Sequence, residues 1–106
     1  MANSSRTKKR GDERWVVKYE EWVVKRDFAL LPRDWLVKIK TAVEARLTTE
    51  PTLYGKPLRS PLSGFNKLRV GDYRVIFQIK GSLILILAAG HRKNIYQRIL
   101  SRLRAK

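Results

Sequence analysis

Residues 66–91 read "NKLRVGDYRVIFQIKGSLILILAAGH", and the periodicity of this stretch decides the fold. In "NKLRV" the cations Lys67 and Arg69 alternate with Leu68 and Val70, the period of two expected for a strand with one wet and one apolar face. Gly71-Asp72 is a two-residue turn with glycine at the position that a type II′ hairpin requires. The next strand, "YRVIFQI", sends Val75, Phe77 and Ile79 inward and Arg74, Ile76 and Gln78 the other way. Lys80-Gly81-Ser82 turns the chain again into "LILILAA", whose lack of alternation marks a strand covered on both faces. A meander of three antiparallel strands is predicted, and it ends abruptly on His91-Arg92-Lys93, with Tyr96 just beyond.

Upstream of the meander, "PTLYGKPLRSPLSGF" (51–65) holds three prolines and two glycines and reads as an ordered loop crossing back to the sheet. "RWVVKY" (14–19) places Trp15, Val17 and Tyr19 on one face of a first strand, with Val16 and Lys18 on the other. "EEWVVKRDFALL" (20–31) has acids in its first turn and Val24, Phe28 and Leu31 at helical spacing, and Pro32 stops it. Asp34 is placed to cap a second helix, in which Trp35, Ile39, Val43 and Leu47 recur every four residues. At the C-terminus Asn94 is placed to cap a helix with Gln97 three residues on. Ile95, Ile99, Leu100 and Leu103 form its apolar stripe, and Arg98, Arg102 and Arg104 its solvated face. The predicted class is therefore α+β: a small twisted antiparallel sheet with two N-terminal helices packed on one face, a short C-terminal helix, and the opposite sheet face open.

A chain of 106 residues has room for one domain, predicted over 14–106, after a polar basic arm over 1–13 that reads as disordered. Lys plus Arg number 24 against 9 Asp plus Glu, a net charge of +15 that solubility alone does not require, so a polyanionic partner is expected. From Gly55 onward the sole acid is Asp72, and the C-terminal half carries the field. Without cysteine there is no disulfide framework or thiolate nucleophile, and one histidine with scattered carboxylates offers no metal-ligand set, so no metal and no cofactor are expected. The N-terminus lacks the apolar core of a signal peptide, and the run Leu83 to Ala89 is too short to span a bilayer; a cytoplasmic protein is expected.

Antiparallel ordering is expected to gather Lys67, Arg69, Arg74, His91, Arg92 and Tyr96, together with the N-H groups of a helix start, around one phosphate. Such a site suits RNA cleavage by the substrate's own 2′-hydroxyl, since the protein then supplies only proton transfer and charge stabilisation. Lys67, crowded by Arg69 and Arg74, is the candidate base with a lowered pKa; His91 is a candidate for proton exchange, and Tyr96 for stacking or for donating its hydroxyl. The same alternation also describes an ordinary half-exposed strand, and charge by itself points no further than nucleic-acid binding.

Two stretches, "YGKPLRSPLSGFNKLRVGDYRVIFQI" (54–79) and "AAGHRKNIY" (88–96), carry a more specific likeness. From about Trp15 to its end the chain resembles the RelE/ParE superfamily of toxins from bacterial toxin-antitoxin pairs. The resemblance implies the fold already predicted and, in the RelE branch, metal-free cleavage of messenger RNA in the ribosomal A site. It implies that Lys67 and Arg69 handle the 2′-hydroxyl and phosphate, that Arg74 clamps the phosphate, and that His91 or Arg92 assists the leaving oxygen, with Tyr96 beside them. Lys56, Arg59, Lys93 and Arg98 are the further cations expected to bind RNA. The partners implied are messenger RNA on the ribosome, with contacts to 16S rRNA, and a cognate antitoxin that neutralises the toxin. The ParE branch shares the fold but poisons DNA gyrase and generally lacks this basic set. A gyrase inhibitor, and a non-catalytic basic module, are the alternatives.

Overall fold

The computed structural model describes residues 14–105, so the basic arm expected over 1–13 lies outside the described residues. The architecture is α+β, with a five-stranded sheet in the order β1-β5-β4-β3-β2. Its strands are β1 (Val16–Tyr19), β2 (Lys56–Pro57), β3 (Asn66–Val70), β4 (Tyr73–Lys80) and β5 (Leu83–His91). The helices are α1 (Arg33–Ala42), the short α2 (Pro51–Tyr54) and α3 (Ile95–Arg104). No helix among the described residues is long and apolar enough to cross a membrane.

The meander forms as its alternation predicts, with β3-β4 and β4-β5 antiparallel. Gly71 has φ 61°, the left-handed value that the first hairpin demands, and among the described residues no non-glycine shares a positive φ. The sheet as a whole is mixed rather than antiparallel, because β1 runs parallel to β5, from Val16 opposite Leu83 to Tyr19 opposite Ile86. The helical excursion after β1 accounts for this. It returns the chain to the level where β1 begins, with Trp15 N-H donating to the Thr48 carbonyl (2.9 Å), while Val16 N-H donates to the Ser82 carbonyl at the start of β5 (2.9 Å). The segment after α2 is also less of a loop than its prolines suggest, since Lys56–Pro57 pairs with β3.

Two apolar clusters sandwich the sheet. Val23, Ile39, Val43 and Leu47 pack on Leu68, Val75, Phe77, Ile84, Ile86 and Ala89 on one face. Ile95 and Ile99 of α3, with Leu62, pack on Ile76, Leu87 and Ala88 on the other. β5 lacks alternation because both its faces are covered, and a bulge shifts its phase: Ile76 pairs with Ala88 but Phe77 with Ile86, so Leu87 is the extra residue and shares a face with Ala88. The second face is thus not open throughout. α3 covers its β5 side, and only the part over β3 and the start of β4 is left.

Three local expectations are corrected. In the first helical segment the chain makes a π-helical turn over Val23–Asp27 and a 3-10 turn over Phe28–Leu30. The wide turn directs Val23 and Asp27 inward, both 0% exposed, and leaves Val24 52% exposed. Asp34 is not a cap: Pro32 holds the N-cap position and Asp34 sits in the first turn, where its charge still opposes the helix dipole favourably. Asn94 does occupy the N-cap of α3, but its side chain makes no capping hydrogen bond.

Candidate nucleic-acid interface

Cross-strand partners in a sheet share a face, so register states which cations meet. Arg69 lies opposite Arg74, and Arg74 in turn opposite Gly90. One step along, Lys56 lies opposite Lys67, and Lys67 opposite Ile76. Lys56, Lys67, Arg69 and Arg74 therefore crowd the uncovered part of the second face, with Lys56 and Arg69 exposed and Lys67 and Arg74 half-buried. The β3-β4 pairing forces two guanidinium groups onto directly opposite positions, an arrangement that weakens a sheet unless something negative lies over it.

Local contacts orient the members of this patch. Arg74 donates from Nη1 to the carbonyls of Gly71 and Tyr73, both at 2.9 Å, which ties its guanidinium to the hairpin turn. Arg92 reaches the same turn: its N-H donates to the Asp72 carbonyl (2.9 Å), and its Nε lies 3.8 Å from Asp72 Oδ1. Both side chains of that pair are more than half exposed, so the pairing is weak. The half-buried Tyr96, on α3, has Lys67 Nζ 6.0 Å from its ring centroid. Its ring is held by packing against the second cluster.

His91 is placed differently from the expectation. It pairs with Tyr73 across β4-β5, and its ring meets the Tyr73 ring edge-on at 5.4 Å, while Tyr73 packs on Trp35 of α1 at 4.9 Å. The period of two thus turns His91 to the α1 side of the sheet, away from Lys67, Arg69 and Arg74. Its Nδ1 accepts the Lys93 N-H (3.2 Å). Arg59 and Lys93 are exposed.

Arg98 and Arg102 do not form a solvated face. Both converge on the carboxylate of Asp27, which is fully buried, and only 24% of the Arg98 side chain and 17% of the Arg102 side chain are exposed. Arg98 Nη1 lies 3.4 Å from Asp27 Oδ1, and Arg102 Nη1 2.9 Å from Oδ2. Asp27 is the residue that sequence reasoning missed. Its sequence signal is its place on the predicted stripe, three residues after Val24 and four before Leu31; the groups that satisfy a carboxylate there lie 62 or more residues away in the chain.

A sequence model described as the ParE toxin of the type II toxin-antitoxin system parDE matches residues 18–96. Toxin RelG of Mycobacterium tuberculosis is 36% identical over 76 residues, 70% of this chain and 87% of the relative. The solved toxin-antitoxin complex RelBE2 of Mycobacterium tuberculosis contains a similar chain, with a TM-score of 0.69 and 31% identity over 74% of this chain and 99% of that one. The archaeal RelE-RelB complex from Pyrococcus horikoshii gives a TM-score of 0.56 and 26% identity over 74% and 94% of the two chains.

Proposed function

The chain belongs to the RelE/ParE superfamily of type II toxin-antitoxin toxins, and from that membership we propose that it is an endoribonuclease that cleaves messenger RNA in the ribosomal A site. The observation that carries the reading is the pair of arginines, Arg69 and Arg74, in direct cross-strand register, with the Lys56-Lys67 pair beside it. An RNA phosphate over this face relieves the mutual repulsion that the register imposes.

The RNA provides its own nucleophile. The 2′-oxygen bonds to the adjacent phosphorus as the bond from phosphorus to the 5′-oxygen breaks, leaving a 2′,3′-cyclic phosphate and a 5′-hydroxyl. Lys67 handles the 2′-hydroxyl, with Arg69 beside it, since an arginine does not release its proton at working pH. Arg74 clamps the non-bridging oxygens, where one well-placed donor is worth about 3–4 kcal/mol in the transition state. Arg92 exchanges Asp72 for the departing 5′-oxygen and stabilises its charge, that oxygen takes its proton from solvent to balance the one the 2′-hydroxyl gives up, and Tyr96 offers its ring to a base. Lys56, Arg59 and Lys93 lengthen the phosphate track. His91, turned to the other face, is given no part in the reaction. The basic surface also fits an acidic segment of a cognate antitoxin, whose binding there would shield the site.

A second reading is favoured by the description of the matching model: a toxin of the ParE type that acts on gyrase without cutting RNA. Purified ribosomes carrying a defined message in the A site separate the two. A 5′-hydroxyl fragment that is lost in Arg74→Ala supports the nuclease, whereas intact message together with blocked supercoiling by gyrase moves the assignment to the second reading.

A further inference from the structure

β1 ends at Tyr19, opposite Ile86, so the outer edge of β5 beyond that point has no strand beside it. Side chains take the place of the missing strand. Trp22 Nε1 and Arg102 Nη1 donate to the Leu87 carbonyl at 2.6 and 3.1 Å, Ala89 N-H donates to Asp27 Oδ2 at 2.9 Å, and Arg98 Nη1 donates to the Ala89 carbonyl at 3.1 Å. Gly90 makes room for this: a Cβ there would lie 2.7 Å from Arg98 Nη1. One buried carboxylate is thereby bonded to Ala89 of β5 and to two arginines of α3. The segment between those anchors carries Arg92 and Tyr96.

We infer that Asp27, with Arg98 and Arg102, is a positioning network that sets the path of residues 90–96 and so places Arg92 and Tyr96 over the cationic face. The inference rests on the nuclease reading for its catalytic consequence. A buried ion pair is a poor device for stability alone, since well-packed apolar side chains do as well. What guanidinium forks supply, and apolar packing does not, is directional bonding to particular backbone atoms. Here those atoms belong to Leu87 and Ala89, immediately before the segment that must be aimed.

The test compares Asp27→Asn and Arg98→Met with Val43→Ala, a core variant whose apolar side chain makes no hydrogen bond or ion pair in the network. Single-turnover cleavage on ribosomes, ribosome affinity, thermal melting and amide hydrogen exchange are measured on each full chain. The network variants are expected to lose about a hundredfold in cleavage rate, the scale of a misplacement of about 1 Å, with ribosome affinity unchanged. Exchange is expected to quicken at residues 90–96 ahead of the rest of the sheet, and Val43→Ala to keep its rate. Folded network variants that cut at the wild-type rate would overturn the inference, as would an equal loss in Val43→Ala. Should Asp27→Asn not fold, Arg98→Met decides, because that side chain is partly exposed and its stem is retained. Should the wild-type chain leave the message intact, the nuclease reading fails separately. Exchange then decides the network: quickening confined to 90–96 upholds it, and uniform or absent change overturns it.

Discussion

Arg74 is the residue on which the proposed chemistry leans most. Its guanidinium is anchored to the turn by two carbonyls, and it faces Arg69 across the strand pair. Arg74→Ala is expected to lower cleavage by about 10²–10³, the cost of one lost transition-state donor, while the melting temperature holds or rises as the like-charge pair is removed. Single-turnover rates beside a melting curve check both halves. Tyr19 poses the opposite case, a residue that works against the fold. Its hydroxyl is buried without a hydrogen-bond partner among the described residues, and burial, then the nearby Glu44 carboxylate, push its pKa up to about 12 from 10.0. A raised folded pKa leaves the neutral phenol's contribution intact below pH 10, and that contribution is lost as pH rises toward about 12. Tyr19→Phe is expected to match or exceed wild-type stability at neutral pH by up to about 1 kcal/mol, and to show a shallower alkaline loss. Urea midpoints measured from pH 8 to 12 report both effects.

At the scale of elements, the β3-β4 hairpin and the β5-α3 junction carry the site. Gly71 has positive φ, and a Cβ there would lie 2.5 Å from the Trp35 ring, so the turn is fixed by both conformation and packing. Gly71→Ala is expected to cost more than about 1 kcal/mol by chemical denaturation, and to lower cleavage further by shifting the carbonyl that holds Arg74. The hairpin was legible in the sequence because alternation and turn glycine are local signals. So was the stripe of Ile39, Val43 and Leu47, which runs from α1 into the π-helical turn Val43–Leu47 that continues it. The bulge at Leu87 and the π-helical turn at Val23–Asp27 were not, because each is set by partners distant in the chain: Asp27 is drawn inward by Ala89, Arg98 and Arg102. The parallel course of β1 was hidden for the same reason. Of the candidate site, Lys67, Arg69 and Arg74 follow from register alone, whereas His91 was misplaced because strand alternation past the bulge turns it toward Tyr73 and Trp35.

For the whole molecule, the net charge of +15 makes the proposed RNA contact testable by its salt dependence. Four phosphates held by Lys56, Lys67, Arg69 and Arg74 predict a log-log slope of affinity against salt of about −3 on single-stranded RNA. Filter binding between low and physiological salt checks this, and a flat response would argue against RNA on this face. The same field is expected to speed encounter with an antitoxin segment of opposite charge, and to do so less at high salt.

The central claim is that the cationic face cuts messenger RNA. Primer extension on a translated message after brief induction, with Arg74→Ala beside the wild type, tests it most directly. In-frame cuts that vanish in the variant are the predicted result; growth arrest with the message intact would contradict it.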